Sequence, residues 1–178
     1  MKSVLMRSCG AVVGAAVLVW SMSGAASAQM GGGKAELKDA KGATVGTATL
    51  TDTPNGVLIH LMLTSGPAGT HAFHVHAVGK CEAPGFTSAG GHFNPAGVPH
   101  GIEVKGGGHA GDLPNIHVPA DGKLDVEILA RGTTLSGGSN AIMDADGGAL
   151  VIHATGDDYK TDPSGAAGDR LACGVVMK

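Results

Sequence analysis

Thirty-six consecutive residues, Gly79 to Pro114, carry neither helical nor strand periodicity of apolar residues, and they constrain this chain more than any other stretch. The segment is dense in Gly and Pro. A structureless loop of that length inside a compact domain is usually functional or disordered. Its ordering must come from something other than an apolar core. Four of its residues offer an alternative: His92, His100, His109 and Asp112, within GGHFNPAGVPHGIEVKGGGHAGDL. Their spacings of eight, nine and three fit no single face of a helix or strand. They do suit a loop folded around an ion, with glycines permitting turns that other residues resist. Three imidazoles and one carboxylate make an N₃O set of the kind that closes a tetrahedral zinc site.

The rest of the chain reads as short strands. AELKDA and ATVGTATLT alternate polar and apolar residues around Lys41-Gly42, a hairpin signal. VLIHLMLT follows the turn DTPNG, and HAFHVHAV follows SGPAGT. NIHV, LDVEIL and ALVIHA come after the loop, and LACGVVM closes the chain beyond a second irregular segment, Gly156 to Asp169. Gly31-Gly32-Gly33 reads as part of a flexible lead over residues 29–33. No stretch sustains helical spacing, so about eight strands form an all-β antiparallel sandwich or barrel. Within HAFHVH, His74 and His76 share one strand face while Phe73 and Val75 take the other. This is a chelating pair. His153, in ALVIHA, could add a third nitrogen. His92 could add a fourth, because a deprotonated imidazole bridges two ions. An all-imidazole set suits copper, with zinc in both sites the alternative left open by spacing alone.

Residues 1–28 read as a secretory signal peptide. Lys2 and Arg7 precede the apolar run AVVGAAVLVW, and Ala26-Ser27-Ala28 gives a cleavage pattern. Ten apolar residues are too few to span a bilayer, so no membrane contact is expected after cleavage. The remaining residues, 29–178, suit one domain. They hold 10 basic and 15 acidic residues, a formal charge of −5, and no basic run, which excludes nucleic acid as a partner. Cys81 and Cys173, an even pair in an exported protein, favour one disulfide over two reduced thiols. A periplasmic or extracellular location follows.

HAFHVHAVGKC, SAGGHFNP, HAGDL, VIHATGDD and GDRLACGVV, in this order, resemble the copper–zinc superoxide dismutase family, from about Lys34 to Lys178. The resemblance implies an eight-stranded antiparallel Greek-key β-sandwich or barrel with two long functional loops over residues 34–178. It implies conversion of two superoxide ions and two protons to dioxygen and hydrogen peroxide by Cu(II)/Cu(I) cycling. It assigns His74, His76, His92 and His153 to copper, and His92, His100, His109 and Asp112 to zinc. His92 and Arg170 would be catalytic, the first handling the proton and the second the anion. Asp157 would link His74 to His100, and Cys81 would pair with Cys173. His71 would brace its strand, whereas His60 and His117 match nothing functional and read as ordinary strand side chains. Ala72 stands where the family usually has Gly. Lys160 is the one basic residue between Asp158 and Arg170, so charged guidance of the substrate rests on Arg170 with Lys160 as its helper. A pure ion pair of Arg170 with Asp162 or Asp169 is the structural alternative. A non-catalytic exported copper/zinc-binding protein of the same fold is the functional one. The subunit interface, and with it the choice between monomer and homodimer, is left open.

Overall fold

Along Gly32–Asp39 the side chains of Ala35 and Leu37 point inward while Lys34, Glu36 and Lys38 face water, the alternation of a half-buried strand. This is β1 of a computed structural model that describes residues 32–178; the expected signal peptide lies outside the described residues. A tight turn at Lys41-Gly42, with Gly42 at φ +84, returns the chain as β2 (Thr44–Thr53), and β3 (Gly56–Leu63) follows Pro54-Asn55. Then come β4 (Gly69–His71), β5 (Phe73–His76), β6 (Ile116–Val118), β7 (Leu124–Arg131), β8 (Ala149–His153) and β9 (Arg170–Val175).

Every recorded strand pair is antiparallel. Seven strands run in the order β5-β8-β9-β1-β2-β3-β7, and β4 pairs with β6 in a small second sheet. The expected eight strands are present, one of them divided at Ala72. That residue leaves its own ladder to bond Thr155 and His153 through its backbone, so β4 joins the small sheet and β5 the large one. Ala72 is fully buried, and the added methyl is accommodated at this break. Between the free edges of β6 and β7 lies a cavity of about 950 Å³ lined by Ile116, Leu124, Val126 and Ile128.

Two stretches differ from expectation. Gly32 and Gly33 belong to β1, paired with Thr51 and Leu50, rather than to a flexible lead. Ladder bonds need no side chain, and Gly33 leaves room for Leu135, whose Cδ2 would sit 3.3 Å from an added Cβ. Residues 132–148 form a third long loop that the strand reading passed over as turns. It inserts Leu135 and Ile142 into the core, with Leu135 N–H donating to Asp52 Oδ1 at 2.7 Å. Isolated apolar residues without a period carry no signal of that kind.

Candidate metal centre

The loop over residues 79–114 is ordered by pairing its backbone with β5. Phe93 N–H donates to Val75 O at 2.8 Å, Val75 N–H to Gly111 O at 3.0 Å, and Gly111 N–H to Phe93 O at 2.8 Å. Gly111 makes this closure possible, since a Cβ there would overlap Val75 O and lie 3.0 Å from Phe93 N. Local bridges result between His76 and His92 and between His74 and Asp112. Residues far apart in sequence thereby become neighbours.

Two donor clusters form. His74, His76, His92 and His153 offer one, and His92, His100, His109 and Asp112 the other; within each, the donor atoms lie within 4.8 Å of one another. His92 belongs to both. Its ring centroid stands 4.0 Å from that of His74, 5.0 Å from His76, 5.2 Å from His100 and 5.4 Å from His109.

Hydrogen bonds at the outer nitrogens decide which nitrogen of each ring faces inward. His76 Nδ1 donates to Gly90 O at 3.0 Å and His153 Nδ1 to Gly168 O at 3.3 Å, because a carbonyl can only accept. Burial holds both imidazoles neutral, with pKa values pushed down to about 2 for His76 and about 3 for His153. Their Nε2 atoms therefore carry lone pairs, and these atoms are 3.3 Å apart. Two lone pairs at that distance repel unless a cation lies between them. His74 donates from Nε2 to Asp157 Oδ2 at 2.7 Å, leaving a fully buried Nδ1 with no hydrogen-bond partner; His92 Nε2 is buried and unpartnered as well. Buried polar atoms without partners are rare in folded proteins, and four nitrogens converging at one point call for an ion.

The second cluster passes the same test. His92 Nδ1 lies 2.8 Å from Asp112 Oδ1, His100 Nδ1 3.0 Å from Asp112 Oδ2, and His109 Nδ1 3.2 Å from Asp112 Oδ1 and 3.4 Å from His92 Nδ1. Ligands placed tetrahedrally about 2.0–2.1 Å from an ion stand about 3.3 Å apart. His100 Nδ1, although close to Asp112, makes no aligned hydrogen bond with it. Burial opposes ionisation of Asp112, yet the His92 ring and the Gly101 and His109 amides hold its pKa well below the usual carboxylate range.

Asp157 spans the two clusters, accepting from His74 Nε2 at 2.7 Å and from His100 Nε2 at 3.0 Å. Against the cost of burial, these bonds and one from Tyr159 N–H hold its pKa down to about 2. Arg170 donates from Nη1 to Phe86 O at 2.7 Å and from Nη2 to Gly90 O at 2.6 Å. Its partners are carbonyls, so the ion pair with Asp162 or Asp169 does not form. Together with His76, His92, His153, Asp162 and Ser164, Arg170 lines an open cavity of about 630 Å³. The Cys81–Cys173 disulfide ties the loop that offers those carbonyls to β9. His71 Nδ1 donates to His153 O at 2.8 Å, a brace between strands. His60 pairs with Asp125 and His117 with Thr70, both at the surface and apart from the clusters.

Lys160 departs from its expected role. Its Nζ sits 2.8 Å from Glu103 Oε2, so its charge is spent on an exposed pair and it does not line the cavity. Two residues of the site, Asn115 and Tyr159, carry no signal in the sequence, and a third, Asp162, reads there only as an ion-pair alternative for Arg170. Asp162 accepts the His100 N–H at 2.6 Å, and Asn115 and Tyr159 surround Asp157. Nothing in their local spacing marks them, because each acts through a contact that only the folded loops create.

A family model described as copper/zinc superoxide dismutase (SODC) matches residues 44–176. Superoxide dismutase [Cu-Zn] 1 of Aquifex aeolicus is 47% identical over 144 residues, 80% of this chain and 85% of the relative. A superoxide dismutase-like protein of Bacillus subtilis is 43% identical over 145 residues, 80% of this chain and 74% of the relative. Among solved structures, a SOD-like protein from Bacillus subtilis superposes with a TM-score of 0.78 at 41% identity, covering 81% of this chain and 97% of the other. Cu/Zn superoxide dismutase from Brucella abortus does so with a TM-score of 0.65 at 28% identity, over 83% and 100%. A match of this extent, spanning every donor of both clusters, places the chain in the copper/zinc superoxide dismutase family.

Proposed function

We propose that the chain dismutates superoxide, taking two superoxide ions and two protons to dioxygen and hydrogen peroxide. The observation that carries this reading is the His92 ring shared by two donor clusters of different composition, one all-nitrogen and one N₃O. The nitrogen set of His74, His76, His92 and His153 would hold copper, and the set of His92, His100, His109 and Asp112 would hold zinc. Bound copper supplies a one-electron redox couple. The protein's own groups do the rest. Arg170, locked by Phe86 and Gly90, presents its remaining N–H donors and its charge at the rim of the cavity, where they bind and orient a small anion. His92 keeps Nδ1 engaged in the N₃O cluster while Nε2 is available to hold a proton and pass it to the peroxide product. Asp157 fixes the tautomers of His74 and His100 from the far side.

Metal analysis of the purified protein beside a superoxide-consumption assay tests this. One copper and one zinc per chain with rapid consumption is the expected result. A metal-binding protein of the same fold without catalysis is the second reading, and zinc uptake with no activity after copper loading would establish it. Arg170→Ala is expected to lower kcat/KM with both metals retained; an unchanged kcat/KM removes Arg170 from the reaction. The disulfide supports an oxidising compartment outside the cytoplasm. Among the described residues, no helix is long and apolar enough to cross a membrane.

A further inference from the structure

The Asp157 carboxylate carries the geometry of both clusters, yet it sits on a loop beyond the end of β8, where no ladder holds it. Its support comes from two residues. Asn115 grips the Asp157 backbone reciprocally: Asp157 N–H donates to Asn115 Oδ1 at 2.8 Å, and Asn115 Nδ2 donates to Asp157 O at 2.9 Å. The side-chain amide thus supplies the pair of bonds that a neighbouring strand would otherwise give. Tyr159 holds the carboxylate itself, its N–H donating to Asp157 Oδ1 at 2.6 Å. The ring is then closed, because Asn115 N–H donates to the Tyr159 hydroxyl oxygen at 2.8 Å.

Each of the three residues bonds both of the others. Asn115 immediately precedes β6, so the ring anchors Asp157 to the small sheet as well as to its own strand. Tyr159 adopts φ +62, a left-handed conformation rare for an aromatic residue, and this conformation persists only where surrounding contacts over-determine it. The carboxylate accepts three N–H donors in all and its side chain is fully buried, so a small tilt would detach either His74 or His100.

We propose that Asn115 and Tyr159 are positioning residues for the metal centre: their hydrogen-bonded ring with Asp157 sets the carboxylate that orients His74 and His100. The inference rests on the two-metal reading of the donor clusters. Removal of outer hydrogen-bond partners of ligating histidines typically lowers metal affinity about 10- to 100-fold.

The test is titration of Co(II) into metal-stripped protein, followed by its visible absorption, for the wild type, Asn115→Ala, Tyr159→Phe and Asp157→Asn. Tyr159→Phe deletes one oxygen and keeps the backbone donor, so it reports on the ring even if Asn115→Ala fails to fold. Both variants are expected to bind Co(II) about 10- to 100-fold more weakly with a shifted absorption band, Tyr159→Phe toward the lower end. A copper electron paramagnetic resonance spectrum altered in the same variants is expected through His74. Wild-type affinity and band in Tyr159→Phe, with Asp157→Asn impaired, would overturn the proposal. So would a loss of metal-free thermal stability that leaves band and affinity unmoved. Failure of the wild type to bind Co(II) would instead refute the metal centre on which the proposal stands.

Discussion

Gly165 and Gly168 occupy the same backbone region, at φ +66 and φ +73, five and two residues before Arg170, where β9 begins. Alanine at either position bears the left-handed cost of about 1–2 kcal/mol. There the likeness ends. A Cβ on Gly168 would meet Ala154 Cβ at 3.5 Å and Thr155 Oγ1 at 3.6 Å, ordinary contacts. A Cβ on Gly165 would overlap the Asp157 carboxylate and lie 2.8 Å from His100 Nε2. The carboxylate has to swing away, which breaks its bond to His100 and disturbs that to Tyr159 N–H. A hydrogen bond to a charged group contributes about 1.5–3 kcal/mol. Gly168→Ala is therefore expected to lose about 1–2 kcal/mol of stability, and Gly165→Ala about 2.5–5 kcal/mol. Urea unfolding of the metal-free variants reads the difference, and Co(II) titration reads its consequence at the N₃O cluster. Gly168→Ala should bind Co(II) as the wild type does, while Gly165→Ala binds more weakly. Equal destabilisation with equal Co(II) affinity would refute the claim that Gly165 is required by Asp157.

Three other outcomes follow from the same geometry. Replacing Cys81 and Cys173 with Ala opens a covalent link between residues 92 apart in sequence, with an expected loss of about 4–5 kcal/mol in denaturant unfolding; a loss below about 1 kcal/mol would mean that the unfolded chain is not the state the link restrains. Without metal, stability should fall on acidification. His76 and His153 take up protons readily only when unfolded, near pH 6.5, and folded only near about 2 and about 3, so acid favours the unfolded state from pH 6.5 downward. Asp157, held at about 2 against an ordinary 3.8, adds a further loss below about pH 4; urea midpoints that stay flat between pH 7.5 and 4.5 would contradict this sign. Asp162 puts a carboxylate in the wall of the cavity that Arg170 also lines. A unit charge acting across about 10 Å of water is worth about 0.4 kcal/mol, so Asp162→Asn, which keeps an acceptor for His100 N–H, should raise kcat/KM about twofold at low salt. An increase that survives at high salt would point to a cause other than charge.

Most of the strands and all seven donor residues were legible in the sequence. Period-two alternation marks β1, β2 and β3 because one face must be buried, and His74 and His76 follow from that alternation alone. His92, His100, His109 and Asp112 could be picked out because imidazole and carboxylate at irregular spacing have little other use in a glycine-rich loop. Local physics of this type operates over a few residues and needs no partner.

Only the tertiary structure decided how those residues face one another. The division of one strand at Ala72, the carbonyls of Phe86 and Gly90 that engage Arg170, the diversion of Lys160 to Glu103 and the ring of Asn115, Asp157 and Tyr159 all depend on segments brought together by closure of the loops. A hydrogen bond between positions 115 and 157 leaves no periodic trace, because its partners are fixed by where two loops end in space and not by the order of residues along either. Chemistry was therefore written in residue type, and geometry in the fold.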